Sequence, residues 1–190
     1  MRNTTETEVG ILHFLREKWN EYTRVFGSKD KFSEEELFVL SSDENPHEGY
    51  RSYSTIGLSS FVHRSGDTKV RLELAGCALE GVENYDNLLA SCAYYSISNE
   101  SCISYGFIIK NIMYDHNLSR SLEHMTFVSP FLWDGMRCRL SDEFTCHWLL
   151  ALPISSGEAN FLIENGIDAL ERRFEDMNVD VLDLERESIF

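Results

Sequence analysis

The sequence lacks the segments that would carry a chain out of the cytoplasm or into a membrane. Residues Met1–Glu8 are polar and acidic, with neither the positive start nor the apolar stretch of a signal peptide. No apolar run approaches the roughly 18 residues that a membrane-spanning helix needs. The five cysteines form an odd set without CxxC spacing, which predicts reduced, buried thiols rather than a disulfide framework. These absences predict a cytoplasmic protein.

Basic residues are also few. Lys and Arg number 17 against 32 Asp and Glu, which gives a formal charge of -15 at pH 7. A field of this sign repels phosphate backbones and anionic membrane surfaces, so we expect neither nucleic acid nor a membrane as a direct partner. Two interpretations of the acidity stay open: it keeps the domain soluble, or it attracts a basic partner.

The local signatures of common catalytic and nucleotide-binding sites are missing as well. The sequence contains no GxGxxG, GxxxxGK[ST], GxSxG or HExxH motif. Cys138, Cys146 and His147 lie close in sequence, and a thiol beside an imidazole can bind zinc or act as nucleophile and base. Neighbouring residues of a strand point to opposite faces, however, so Cys146 and His147 cannot both bind one metal unless the strand has a bulge. We therefore expect structural cysteines, no catalytic residue, no metal and no cofactor.

The sequence does contain enough apolar material for one sizeable core, with 43% hydrophobic and 12% aromatic residues over a length of 190. We expect a single domain across residues 1–190. Thr5 and Glu8 have the spacing of a capping box, and apolar residues then recur at helical intervals until Gly27. This pattern predicts a long amphipathic helix from about Glu6 to Phe26.

The remaining segments predict several strands and three further helices. Lys69–Leu74 alternates with period two, as in a strand with one wet face, and the turn Ser65–Asp67 before it indicates a hairpin. Cys146–Ile154 is apolar enough for a central core strand. Further strands are predicted at Glu36–Leu40, Tyr53–Leu58, Gly106–Met113 and Met125–Val128, and a short strand or extended tail at Val179–Leu184. Helices are predicted after the cap Asn84, after the Ser155/Glu158 capping box, and from Ile167. Since strands and helices do not alternate regularly, the order favours an α+β fold.

Acidic residues are concentrated near the C-terminus, without the ligand spacing and central glycine of an EF-hand loop. Most such runs are solvated helix faces, but these carboxylates also form a concentrated negative patch. We predict that the partner-binding residues are Asp176, Asp180, Asp183 and Glu185. An alternative patch is the loop that carries Asp43, Glu44 and Glu48.

Seven segments, taken in order and spacing, resemble the suppressor-of-fused-like (SUFU) domain family, in particular its small bacterial members of the YqcF antitoxin type. The resemblance spans about Gly49 to Ser188. It is carried by Tyr53–Ser59 (YSTIGLS), Arg71–Ala75 (RLELA), Phe127–Asp134 (FVSPFLWD), Trp148–Ser156 (WLLALPISS), Glu158–Gly166 (EANFLIENG), Ala169–Phe174 (ALERRF) and Asp180–Ser188 (DVLDLERES).

The resemblance implies a mixed, largely antiparallel central sheet flanked by helices, and a binding function without catalytic motifs. Bacterial proteins of this type resemble immunity proteins, which neutralise the polymorphic toxin encoded beside them, and the paired toxins are similar to nucleases. An acidic inhibitor can occupy the basic substrate surface of a nuclease, and charge of this kind speeds association. The resemblance thus implies a cognate toxin, with a basic nuclease domain, as the partner.

Two other function classes remain as alternatives. The eukaryotic relative suggests a regulatory module that binds an extended peptide by strand addition. The other alternative is a hydrolase that uses Cys146 or His147. Asp115, His116 and His124 could also form an acid–base set. We do not adopt this idea, because they lie in a polar segment whose sequence does not fix their relative positions.

Overall fold

The computed structural model describes residues 5–19, 24–29, 36–61, 63–65, 68–99, 103–141 and 145–190. These residues form four α-helices: α1 (Glu6–Trp19), α2 (Tyr85–Ser98), α3 (Ser156–Asn165) and α4 (Ile167–Asp176). They also form nine strands: β1 (Arg24–Lys29), β2 (Glu36–Asp43), β3 (Tyr50–Ile56), β4 (His63–Ser65), β5 (Thr68–Leu79), β6 (Ile108–Ile109), β7 (His124–Val128), β8 (Arg137–Arg139) and β9 (Thr145–Ile154).

The strands make one mixed sheet in the order β1-β2-β3-β5-β9-β7-β6, with β4 paired to β5 and β8 paired to β9. Among the described strands, β5 and β9 pair in parallel and every other pairing is antiparallel. Helix α2 packs on one face of the sheet, and α1, α3 and α4 pack on the other. The predicted α+β fold, with a mixed and largely antiparallel sheet flanked by helices, is confirmed.

Both predicted capping boxes are present. The backbone N–H of Thr5 donates to Oε2 of Glu8 over 2.7 Å, and the N–H of Glu8 donates back to Oγ1 of Thr5 over 3.2 Å. At the start of α3, Ser155 and Glu158 exchange the same pair of bonds over 2.9 and 3.1 Å. Each box satisfies two backbone donors that a helix start leaves without a partner.

The N-terminal helix is shorter than predicted. Helix α1 ends at Trp19, whereas the predicted helix ran to Phe26. Val25 and Phe26 instead lie in β1, where they pair with Leu40 and Val39 of β2. Their helical spacing was misleading because a strand can use the same apolar residues, and the pairing with β2 is not visible in local sequence. Residues 20–23, at the end of the predicted helix, lie outside the described residues.

Strand β5 is longer and more buried than predicted. It runs to Leu79, and Glu73, expected on a wet face, is fully buried. Helices cover both faces of the sheet at β5. The alternation of polar and apolar residues in this strand therefore did not mean that its polar side chains are exposed to solvent. Strand β4 pairs with β5 as a hairpin at the predicted turn, but its first strand is β4, which was not predicted, and not Tyr53–Leu58. Gly66 and Asp67 of the turn lie outside the described residues.

Four smaller predictions need correction. Asn84 precedes α2, but its φ of 65° is left-handed and its side chain makes no capping hydrogen bond. A left-handed residue does not have the extended backbone that normally aims a capping side chain at the helix.

The strands are shorter than predicted in two places. Only Ile108–Ile109 (β6) of the predicted strand Gly106–Met113 forms a strand, and β3 ends at Ile56, two residues before the predicted end. Of the short strand or extended tail predicted at Val179–Leu184, the strand is absent, and the segment contains turns closed by backbone bonds such as Asp183 N–H to Asp180 O.

None of the helices in the described part of the chain is both long and apolar enough to cross a bilayer.

Candidate interaction surface

The C-terminal segment, defined as residues 177–190, is held to the domain by buried polar contacts. The guanidinium of Arg186 spans the carboxylate of Glu158, with Nη1 to Oε1 at 2.6 Å and Nη2 to Oε2 at 2.9 Å. The hydroxyls of Ser119 and Ser121 donate to the carbonyls of Leu184 and Arg186, over 2.5 and 2.6 Å. The segment therefore has a defined path although it contains neither helix nor strand.

Two carboxylates of the C-terminal segment, Asp180 and Asp183, are held in place by hydrogen bonds to its backbone. Oδ1 of Asp180 accepts the backbone N–H of Leu182 over 3.1 Å, and Oδ1 of Asp183 accepts that of Glu185 over 2.9 Å. The neighbouring side chains of Leu182 and Leu184 are buried, at 9% and 5% exposure. Each aspartate thus closes a turn with one oxygen, and the turns hold the charges in place.

Tyr50 connects the C-terminal segment to the loop between β2 and β3. Burial raises the pKa of the Tyr50 hydroxyl, and the nearby charges of Asp180 and Asp183 raise it further. His47 stacks on the Tyr50 ring, with 4.5 Å between ring centroids, and Glu48 beside it is exposed. Asp180 and Asp183 therefore lie near Tyr50, and Glu48 lies in the turn that precedes it, closed by the Tyr50 N–H to His47 O bond.

The structure separates Asp43 from this group. Asp43 pairs in register with Arg51 and forms an ion pair with it. Arg51 follows Tyr50 in β3, and successive strand residues point to opposite faces of a sheet. The two predicted patches are therefore only partly brought together.

Three other predicted residues are exposed: Asp176, Glu185 and Glu44. Asp176 is the last residue of α4, and Glu185 follows the second turn of the C-terminal segment. Glu44 has a left-handed φ of 54°, and its backbone N–H donates to the Glu80 carboxylate over 3.1 Å. We define the acidic surface as Asp180, Asp183 and Glu185 on the C-terminal turns, together with Glu48 in the turn before Tyr50.

Sequence reasoning did not assign the carboxylates on one side of α4 to the binding residues. Asp168 and Glu171 both hydrogen-bond the Tyr105 hydroxyl, and burial together with these carboxylates raises the pKa of Tyr105. Glu175 lies one turn beyond Glu171. The sequence spacing could have indicated this group, because intervals of three and four residues place Asp168, Glu171 and Glu175 on one side of a helix.

The residues considered for chemistry do not form a common site. Cys146 is fully buried while His147 is exposed, as expected for neighbours on a strand. Burial raises the pKa of the Cys146 thiol well above its ordinary value, which suppresses the reactive thiolate. The other described cysteines, Cys77, Cys92 and Cys138, are free thiols. Cys102 lies outside the described residues.

The histidines of the remaining acid–base candidate serve separate contacts. Nε2 of His116 lies 3.1 Å from Oγ of Ser91, whereas Nδ1 of His124 accepts the backbone N–H of Asn111 over 3.0 Å. Asp115 is exposed beside His116. No group of three or more His, Cys, Asp or Glu side chains that could hold a metal ion occurs among the described residues.

Comparison with known proteins shows where this architecture occurs. The sequence model of the family "Suppressor of fused protein (SUFU)" matches residues 33–187. Immunity protein YqcF of Bacillus subtilis (strain 168) is 32% identical over 174 residues, which cover 86% of this chain and 91% of YqcF.

Solved structures share the fold at lower sequence identity. A SUFU homologue from Neisseria gonorrhoeae FA 1090 superposes with a TM-score of 0.71 at 18% identity, covering 96% of both chains. The Sufu–Fu complex gives a TM-score of 0.67 at 13% identity, covering 95% of this chain and 91% of the other. Because the family match spans most of the chain and the folds agree, this chain belongs to the suppressor of fused (SUFU) family.

Proposed function

We propose that this chain is an immunity protein that binds a cognate toxin and neutralises it by covering the toxin's basic substrate surface. The proposal rests on 32% identity to a protein named as an immunity protein and on the formal charge of -15. The observation that carries the mode of action is the acidic surface, whose aspartates are held in turns of an anchored segment.

Fixed carboxylates suit the inhibition of a nuclease. A nuclease holds its substrate with Lys and Arg side chains directed at phosphates. Carboxylates in a defined arrangement can form ion pairs with these Lys and Arg side chains in place of phosphates. Because the carboxylates are already held in position, binding does not have to pay the entropy cost of ordering a flexible tail. Long-range attraction between the opposite charges raises the association rate by roughly 10- to 1,000-fold at low salt. Inhibition of this kind requires no chemistry by the immunity protein.

Co-expression with the toxin domain encoded by the neighbouring gene tests this function. We expect the toxin domain alone to stop growth, and this chain to restore growth and co-elute with the toxin domain on gel filtration. Toxicity that persists, with the two proteins eluting separately, would refute the proposal.

The sheet edge supports one alternative, a module that binds an extended peptide by strand addition. Strand β1 lies at one end of the sheet order and pairs with β2 on one side. An edge strand of this kind can accept a further strand through backbone hydrogen bonds. Binding by this route would depend little on salt, whereas binding through the acidic surface would weaken as salt rises.

A further inference from the structure

An apolar groove lies next to the C-terminal segment, between the end of β7, the loop 129–131, α4 and residues 178–181. Its volume is about 390 Å³. Val128, Leu152 and Phe174, all buried, contribute its apolar lining, together with the half-buried Val179 and Val181. A large aliphatic or aromatic side chain could therefore enter this groove and lose contact with water.

The rim of the groove carries an exposed aromatic residue. Phe131 lines the groove, and 59% of its surface is exposed. Aromatic residues are enriched among the residues that contribute most to binding energy, and they do so when a partner covers them. An exposed phenylalanine beside an apolar groove is thus suited to contact with a partner.

The part of the rim formed by α4 is acidic. Glu171 and Glu175 line the groove from α4, and Asp168 lies one turn before Glu171 on the same side of the helix. Asp180, next to the groove residue Val179, extends the negative charge toward Tyr50. Apolar contact at the centre with charge at the rim is the usual organisation of a protein interface.

We propose that this groove is the anchor site for the toxin, and that it receives one large apolar side chain of the toxin flanked by Lys or Arg. This inference rests on the proposed function. Charge complementarity selects the occupant, because the groove is bordered by carboxylates and the chain carries a formal charge of -15. The same charge repels a second copy of this chain and an anionic membrane. The basic residues pair with Glu171 and Glu175, and the apolar side chain packs between Phe131 and Phe174.

Two variants and a matched control test the anchor against a catalytically inactive form of the neighbouring toxin domain. Phe131→Ala should weaken binding roughly 10- to 100-fold, mainly through faster dissociation. Glu171→Gln/Glu175→Gln should slow association and reduce its salt dependence. The control is Tyr114→Ala/Asp115→Asn, in a groove on the α2 side of the sheet, because Tyr114 is also 59% exposed. We expect the control to bind within about twofold of the wild type.

The results separate this inference from the proposed function. If the wild type binds and Phe131→Ala binds equally well, the groove is not the anchor, but the immunity function stands. If the wild type neither binds nor protects, the immunity function fails. Thermal unfolding of each variant verifies that the fold is retained, as expected for substitutions of exposed or rim side chains.

When the neighbouring toxin domain does not bind, a peptide probe tests whether the groove receives an apolar side chain flanked by Lys. The isotope-labelled chain is titrated with acetyl-Lys-Lys-Leu-Trp-Lys-Lys-amide while its amide resonances are recorded. We expect millimolar binding, on the order of 4 kcal/mol, with shifts confined to residues 128–131 and 171–181. Shifts elsewhere, no shifts, or equal shifts in Phe131→Ala would overturn the proposal.

Discussion

The guanidinium of Arg186 and the carboxylate of Glu158 form a bidentate ion pair in which both side chains are buried, at 6% and 0% exposure. Glu158 also caps α3, and Arg186 donates a further bond to the carbonyl of Pro153 over 3.1 Å. One contact thus connects the start of a helix, the end of β9 and the C-terminal segment that carries Asp180 and Asp183.

Removal of Arg186 should therefore destabilise the protein strongly. Arg186→Met leaves the Glu158 carboxylate buried without its cation, which costs roughly 3–5 kcal/mol of the free energy of unfolding. Urea denaturation measures the change. The double variant Arg186→Met/Glu158→Gln should recover part of this loss, because it removes the buried charge too. Arg172→Met, at an exposed arginine of α4, is the control and should change stability by less than about 0.5 kcal/mol.

Glu73 should make stability depend on pH. Burial raises the pKa of its carboxyl above the ordinary value of 4.5, although hydrogen bonds from Thr55, Gly57 and Ser59 oppose the shift. The folded chain then keeps this proton to a higher pH than the unfolded chain. Stability from the protonated carboxyl is complete below about pH 4.5 and is lost as pH rises through the folded-state pKa.

Glu73→Gln tests this expectation, because the amide resembles the protonated carboxyl in shape. The free energy of unfolding of the wild type, minus that of Glu73→Gln, should fall as pH rises above about 4.5. Urea unfolding over a pH series measures this difference. A difference that is constant or increases with pH would contradict a raised pKa.

Gly76 should not accept a larger residue. A Cβ added at Gly76 would lie 2.5 Å from Cε1 and 2.9 Å from the hydroxyl oxygen of Tyr85, which is itself buried. Gly76→Ala should reduce the free energy of unfolding by about 1–3 kcal/mol, as overpacking of a core does. In Gly27→Ala, the control in β1, the nearest atom to the added Cβ is 3.8 Å away, so no loss is expected. Equal stability of both variants would contradict the packing seen here.

Asp180 and Asp183 should speed association with a basic toxin. In Asp180→Asn/Asp183→Asn the amide oxygens can still accept the N–H groups of Leu182 and Glu185, so the turns persist while two charges disappear. We expect a lower association rate and a weaker salt dependence, measured by stopped flow against the toxin domain.

The comparison variant for this pair is Glu44→Gln, in the loop between β2 and β3. It should leave the association rate nearly unchanged, because Glu44 lies outside the acidic surface defined above. If Glu44→Gln slows association more than the double aspartate variant does, the contact lies at Glu44 and not at the C-terminal aspartates.

Local interactions explain what could be predicted from sequence. The Ser155/Glu158 capping box joins residues three positions apart, and Cys146–Ile154 needs only its own apolar content to be recognised as a core strand. The family resemblance added the mixed sheet, which contains the parallel pairing of β5 with β9. For the candidate site, the sequence indicated Asp180 and Asp183 as binding residues but did not indicate that they lie near Tyr50.

The errors arose where distant residues compete with local pattern. Val25 and Phe26 continue a helical period, yet pairing with β2 places them in a strand. Glu73 alternates like an exposed residue, yet hydrogen bonds from residues 14 to 18 positions away hold it in the interior. Neither outcome is visible in a window of one element, because the deciding partner lies elsewhere in the chain.

By itself the sequence determined the acidic balance, the helix starts and the apolar segments that must be buried, since these follow from composition and from spacings of a few residues. Only the tertiary structure decided that Asp180 and Asp183 border Tyr50 while Asp43 pairs with Arg51 on the other face. The physical reason is that a surface consists of side chains brought together from separate elements. Their placement depends on sheet register and on long-range contacts such as Arg186 with Glu158.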